Sequence, residues 1–319
     1  MIWLGFDIGP TIGMGHAMRC RSLARALRAA GQRCGFAVND RRNAFCQALI
    51  EEGFELVARK VMPDGAALLD LSYTGFRDEL PILIERLKSE NRRVALIDGL
   101  SAEAYCRGPE VDLVITPYFL TKSEPKRAAI QHIAGPDYAV LDASYADTPP
   151  DRQGETGAVL ISIGGSDPWS LTEQIMGALA SPVEPILVTG GLFEKNRIAK
   201  LKAQAHTLGG TLVHRPDGLR SLMLQADLAI LGPGLSKYEA AACNLPSVLI
   251  SPDANNHAFN QPFEAAGLGI AVQADQGDFK TALNAAMARA RGLAPLDGRA
   301  QIDGRGAQRL ARALESLTD

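Results

Sequence analysis

Short apolar runs alternate with helical stretches that carry one apolar face, and this rhythm constrains the chain more than any other feature. "MIWLGFDI" reads as a strand buried on both faces, and Ala17 to Ala30 as a helix closed by Gly31. "RCGFAVN", "FELVARK", "RVALIDGL" and "VDLVITPY" read as further strands, separated by the helical stretches "NAFCQALIEEG" and "GFRDELPILIERLKSENR". Continuous apolar strands alternating with helices predict a parallel sheet covered on both faces, the doubly wound α/β class. The rhythm breaks at "DTPPDRQGETG", residues 147–157, a polar stretch with the composition of a linker. It then restarts with "AVLISIGG" and continues through "EPILVTGG", "TLVHR", "DLAILGPG", "LPSVLIS" and "LGIAVQAD", each followed by a helical stretch. The expectation is an N-terminal α/β domain over 1–148, a C-terminal α/β domain over 155–299, and a helix within 300–319 that packs back on the first domain. Two Rossmann-like domains of this kind face each other across a cleft and hold ligands at the C-terminal ends of their strands.

A formal net charge of −3 leaves no basic field for nucleic acid. The basic residues Arg19, Arg21, Arg25 and Arg28 still suit one small anion. Five cysteines without CxxC spacing read as reduced thiols, not a disulfide framework or zinc site, and so point to a cytoplasmic protein. The apolar N-terminus lacks the basic flank of a signal peptide, and no apolar run is long enough to span a bilayer. A monomer or weak dimer is expected.

Four segments could carry chemistry. In "IGMGH" the glycine spacing is not the dinucleotide fingerprint, and Gly13 and Gly15 alone read equally well as a tight strand-to-helix turn. His16 changes that reading. At the start of a helix, the backbone N–H groups and dipole disfavour an imidazolium, which suits a general base; capping the helix is the plainer role. In "ISIGGSDPWS", Gly164 and Gly165 end a strand, Ser166 or Asp167 can cap the next helix, and Pro168 falls just inside it. The same backbone N–H groups could meet a pyrophosphate. In "LGPGLSKYEAAA" the turn through Gly232, Gly234, Leu235 and Ser236 again aims N–H groups at an anion. Glu239 beyond it could accept from a ribose diol or lie on the helix surface. Asn256, His257, Asn260 and Gln261 form a polar cluster suited either to a sugar or to capping. Asp98, at the end of "VALID", is a cleft residue or a loop cap. His132, His206 and His214 show no metal-ligand spacing, so no metal and no cofactor are expected.

Together these motifs resemble the nucleotide-sugar enzymes of the GT-B architecture, and most of all the UDP-sugar hydrolases of pseudaminic acid biosynthesis, the PseG family. The family's "IGxGHxxRC" start is matched by Ile12, Gly13, Gly15, His16, Arg19 and Cys20, and its "GGxD" turn by Gly164, Gly165 and Asp167. Ala226, Asp227, Leu228, Ile230, Gly234, Ser236 and Glu239 match the later strand-turn-helix segment, and Asn260 and Gln261 its "NQ". The likeness runs in order along most of the chain. It implies metal-independent hydrolysis of a UDP-linked diacetamido-trideoxyhexose at the anomeric C–O bond, with inversion and release of UDP, in a pathway that feeds flagellin glycosylation. On this likeness His16 activates water. Asp7, Gly13, Gly15, Arg19, Asp98, Asn260 and Gln261 contact the substrate, and Gly164, Gly165, Ser166, Gly234, Leu235, Ser236 and Glu239 hold the nucleotide diphosphate.

Three positions depart from the family pattern: Phe6 replaces an arginine before Asp7, Leu100 a sugar-binding tyrosine, and Asp142 an arginine. Two rival functions therefore stand beside hydrolysis. One is an inverting GT-B glycosyltransferase, since "GxGH" is equally MurG-like and His16 could activate an acceptor hydroxyl. The other is a nucleotide-sugar-binding protein without turnover.

Overall fold

A computed structural model of the chain describes residues 1–9, 12–71, 79–97, 110–119, 129–147, 157–180, 183–292 and 302–317. The chain forms two compact units. The first comprises Met1–Ile8, His16–Ala143 and Arg305–Asp319, and the second Gly9–Gly15 and Ser144–Gly304.

The first unit is built on a parallel sheet of strands β1 (Ile2–Phe6), β2 (Cys34–Val38), β3 (Glu55–Ala58), β4 (Ala66–Asp70), β5 (Val94–Ile97), β6 (Val111–Thr116) and β7 (Ala129–Ala134). Their order in the sheet is β3-β2-β1-β4-β5-β6-β7. Strands β1, β4, β5 and β6 are buried along their whole length, as their continuous apolar character requires. Strands β4 and β7 lie in stretches with no strand signal in the sequence reading: β4 is "AALLD", without a β-branched residue, and β7 is an exposed edge strand, "AIQHIA". Helix α1 (Gly15–Ala29) buries Ala17, Arg19, Cys20, Leu23, Ala24 and Leu27, a stripe at helical spacing against the sheet. The helix Gly306–Ala313 returns to this unit, where Leu310, Ala311 and Leu314 join the core around Ile2, Leu4 and Leu27.

The second unit repeats the architecture with β8 (Ala158–Ser162), β9 (Glu184–Thr189), β10 (Thr211–His214), β11 (Leu228–Leu231), β12 (Ser247–Ser251) and β13 (Ile270–Gln273). They are ordered β10-β9-β8-β11-β12-β13, again all parallel. Its core is formed by Val159, Ile161, Leu187, Ile230, Val248 and Ile250 of the strands and by Ile175, Leu201, Leu283 and Met287 of the covering helices. The helix after β8 begins at Leu171, so Pro168 lies in the preceding turn and not inside the helix as its spacing predicted. Asp167 does cap that helix, accepting from the N–H groups of Leu171 and Thr172 at 2.9 Å each.

In both sheets the chain reverses its direction of growth at one place. Strand β1 has β2 on one side and β4 on the other, and β8 has β9 on one side and β11 on the other. The loops leaving the two strands at such a switch diverge to opposite faces, which opens a crevice at their C-terminal ends. In the first unit the crevice lies between β1 and β4, where Phe6 pairs with Asp70. In the second it lies between β8 and β11, where Ser162 pairs with Leu231. Among the described residues, no helix is long and apolar enough to cross a membrane.

The turn after β8 depends on a close backbone approach. A Cβ on Gly190, just past β9, would stand 2.5 Å from both the Cα and the carbonyl oxygen of Gly165, while one on Gly191 would meet only the Arg215 side chain, at 3.4 Å. Gly190→Ala is therefore expected to displace the Gly165 turn and lower stability by about 1–3 kcal/mol in urea unfolding. Gly191→Ala should stay within about 0.5 kcal/mol of the parent.

Candidate active site

The switch point of the first unit gathers four polar side chains from separate stretches of sequence. His16 and Arg19 sit one turn apart on α1, on the same face of the helix. Asp70 is the last residue of β4, and Tyr118 follows β6. His16 Nδ1 lies 2.7 Å from Asp70 Oδ1. Arg19 grips the same carboxylate with two bonds, Nε to Oδ2 and Nη2 to Oδ1, each 2.6 Å. Its Nη1 donates to the Tyr118 hydroxyl. Asp70 and Arg19 are buried, whereas the His16 side chain keeps 26% of its surface exposed. The imidazole is thus the member of the group that solvent or a substrate can reach.

The charges decide the proton positions. Burial works against the Asp70 carboxylate, but Arg19 and His16 outweigh it and hold its pKa down at about 2. Burial likewise opposes the Arg19 cation, and Asp70 foremost overcomes it, leaving the guanidinium more firmly protonated than usual. An ionised carboxylate only accepts hydrogen bonds, so Nδ1 of His16 carries the proton that faces Asp70. Arg19 Nη2 also stands 3.3 Å from the same nitrogen, a longer contact than its 2.6 Å bond to Asp70 Oδ1, so the shorter Asp70 contact sets the proton on Nδ1. In the neutral ring Nε2 is then left with a lone pair, an arrangement that can serve as a base with a carboxylate behind it. Cys20 Sγ lies 3.9 Å from Asp70 Oδ2, but burial pushes its thiol well up, so it belongs to the core.

Several residues read as substrate contacts face inward. Arg19 is spent on Asp70 and Tyr118. Asp7 is buried against Arg59, whose Nη2 donates to its Oδ1 at 2.5 Å and to the Phe6 carbonyl at 2.7 Å. Arg59 thereby supplies the counter-charge to Asp7, while Phe6 packs edge-on against Phe36 and Phe45. The basic face of α1 is also committed. Arg21 and Arg25 bind Glu52, Arg28 lies over the Phe54 ring, and Arg25 reaches Asp142 at 3.0 Å, so Asp142 has a structural partner here. Gly13 precedes α1 and Gly15 is its first residue. Gly13 adopts φ +79°, a conformation that favours glycine, and a Cβ on either would meet nothing within 4 Å. Asp98 and Leu100 lie outside the described residues. Sequence reasoning missed Asp70 and Tyr118; the available signal for Asp70 was a short apolar run, "AALL", ending on a carboxylate.

The switch point of the second unit brings together the two glycine-rich turns. Gly232 N–H donates to the Ser162 carbonyl at 3.1 Å, and a Cβ on Gly232 would come within 2.9 Å of the Ile163 oxygen. Gly164 and Gly234 are exposed, and Gly165, Ser166, Leu235, Ser236 and Glu239 are half-buried. Arg197 clamps the first turn, binding the Asp167 carboxylate at 2.5 Å, its carbonyl at 2.9 Å, the Ser166 carbonyl at 3.3 Å and Glu173 at 2.6 Å. Beyond the second turn, Lys237 is buried. Its Nζ donates to the Phe259 carbonyl at 2.6 Å and to Asn260 Oδ1 at 3.0 Å. Asn260 Nδ2 donates in turn to Ser251 Oγ at 2.8 Å. Asn260, expected at the ligand, is fully buried and braces this segment instead, whereas Gln261 beside it is exposed. Asn256 bonds back to Asp253, which caps the short helix there. Among the described residues, no group of three or more His, Cys, Asp and Glu could hold a metal ion.

No protein-family model matches the sequence. The chain is 25% identical to the spore coat polysaccharide biosynthesis protein SpsG of Bacillus subtilis (strain 168), over 98% of this chain and 96% of that protein. It is 24% identical to the uncharacterized protein MJ1062 of Methanocaldococcus jannaschii, over 75% of this chain and 53% of that one. Its fold resembles that of Acinetobacter baumannii MurG, with a TM-score of 0.63 and 16% identity over 99% of both chains. It also resembles the spinosyn rhamnosyltransferase SpnG complexed with thymidine diphosphate, with a TM-score of 0.62 and 14% identity over the whole of both chains. With its two parallel Rossmann-like sheets, the chain has the GT-B fold.

Lys237 makes stability pH-dependent. Burial pulls its ammonium down from 10.5 to about 7, whereas the unfolded chain keeps the proton up to the ordinary lysine range. Between about pH 7 and 10.5 the unfolded state binds more protons, so the Lys237 contribution to stability rises with pH across that window and is lost as pH falls toward 7. Urea unfolding of Lys237→Met beside the parent at pH 7 and pH 9 should show the parent gaining on the variant at the higher pH, by up to about 1.4 kcal/mol per pH unit.

Proposed function

We propose that the chain is an inverting enzyme acting at the anomeric carbon of a nucleotide-linked sugar, with His16 Nε2 as its base. The observation that carries this reading is the His16–Asp70 pair at the switch point of the first sheet, with the imidazole half-buried and still accessible and the carboxylate buried and ionised. In the first reading the reaction is hydrolysis of a UDP-linked diacetamido-trideoxyhexose. Water attacks C1, its proton passes to His16 Nε2, and the bond from C1 to the β-phosphate oxygen breaks. The diphosphate leaves with the electron pair. Asp70 keeps its charge throughout and stabilises the imidazolium that forms. Within the second unit, the glycine turns at Gly164–Ser166 and Gly234–Ser236 are the segments suited to hold a diphosphate by backbone N–H groups, and Glu239 is suited to accept from a ribose. The resemblance of the motifs to UDP-sugar hydrolases supports this choice.

Transfer to an acceptor hydroxyl is the second reading, favoured by the likeness to a spore coat polysaccharide biosynthesis protein over nearly the whole chain. The same base would serve it. UDP release by the purified protein from a diacetamido-sugar donor, without acceptor, supports hydrolysis; release only on addition of an acceptor supports transfer. UDP binding by calorimetry without turnover on any donor would mark a binding protein. In the active case His16→Ala should lower kcat by about 10²- to 10⁴-fold, and Asp70→Asn by about 10- to 10⁴-fold through loss of the correct tautomer. Full turnover by His16→Ala would contradict the assignment of the base.

A further inference from the structure

Arg19 belongs to the motif that pointed to a ligand contact, yet it touches Asp70 and Tyr118, and its side chain is buried. We infer that Arg19 is a positioning residue for the base, and that by holding Asp70 ionised and in one plane it fixes which nitrogen of His16 carries the proton. This rests on the reading of His16 as the base.

A carboxylate alone can rotate about its Cβ–Cγ bond and can take up a proton. The two parallel bonds from Arg19, at 2.6 Å each, use the fork of the guanidinium to set the plane of the group. Tyr118 holds the remaining arm of the fork, so the guanidinium is itself anchored at both ends. Base and clamp ride on one turn of α1, which gives them a common frame. Oδ1 serves both, accepting from Arg19 Nη2 at 2.6 Å and from His16 Nδ1 at 2.7 Å. The charge matters as much as the geometry. A protonated Asp70 could donate to Nδ1, which would leave the ring proton on Nε2 and remove the lone pair that the reaction needs. The cation beside it forbids that arrangement.

Long-range nitrogen–proton NMR of the imidazoles reads the tautomer without any substrate, with the His16 signals identified by their loss in His16→Ala. In its neutral form the parent's His16 ring should be protonated on Nδ1. Arg19→Gln should lose that single tautomer and give a mixture. Arg19→Lys, which keeps the charge but not the fork, should keep the Nδ1-protonated form. Removing one partner of a buried pair is strongly destabilising, so Arg19→Gln/Asp70→Asn, which removes both charges, is the variant to use if Arg19→Gln does not fold; the tautomer should also be lost in it.

Turnover supplies a second readout. Arg19→Gln should lower kcat by about 10- to 100-fold with KM and UDP affinity within about 3-fold, the pattern of an interaction that acts on the base and not on ground-state binding. An unchanged His16 tautomer in Arg19→Gln or in the double variant would overturn the inference, as would a raised KM with kcat retained, which marks a substrate contact. Absence of turnover in the parent would instead count against the proposed function, and the tautomer measurement would still decide the role of Arg19.

Discussion

A buried cation and a buried anion, Arg19 and Asp70, hold the chemistry of the first unit together. Each would be costly in the interior alone; paired by two short bonds they are tolerated and rigid. Their partner His16 is the only one of the three with substantial exposure, so the rigidity of the pair passes to one accessible nitrogen. The pair also explains why a motif with a histidine and an arginine one helical turn apart makes chemical sense. The histidine faces outward enough to meet a substrate, and the arginine faces inward to the carboxylate that orients it.

The sheets place these groups where they are. In a doubly wound sheet only the switch point separates neighbouring loops, and both sheets put their polar or glycine-rich ends there. Strands β1 and β4 deliver Asp7, the start of α1 and Asp70. Strands β8 and β11 deliver the two glycine turns, the first clamped by Arg197 and the second followed by buried Lys237. At these turns the second unit offers backbone N–H groups, while Arg197 and Lys237 are turned to partners within the unit, which suits the holding of an anion more than proton transfer.

Much of this was legible in the sequence. Strands rich in Ile, Val and Leu, such as "AVLIS" and "SVLIS", declare themselves because a run buried on both faces has no polar alternation to confuse it. His16 and the glycine turns stand out because their residue types and spacing are visible within a few positions of sequence. "AALLD" does not, since alanine and leucine favour a helix as readily as a strand, and the carboxylate that completes the site was hidden with it. Asp98 drew attention in its place. Arg19, Asp7 and Asn260 were read as ligand contacts because their partners are distant or unmarked. Asp70 lies 51 residues from Arg19, and Arg59 lies 52 from Asp7. A polar residue at a strand end looks the same whether it faces a ligand or a buried partner. Only the fold separates the two.

The proposed reaction is attack at the sugar carbon. Turnover of a UDP-linked diacetamido-trideoxyhexose in water enriched in ¹⁸O, with the products separated by mass spectrometry, tests it most directly. Attack assisted by His16 at C1 places the heavy oxygen in the released sugar and none in UDP. Label in the β-phosphate of UDP would mean that the phosphorus–oxygen bond breaks instead, and would contradict the mechanism.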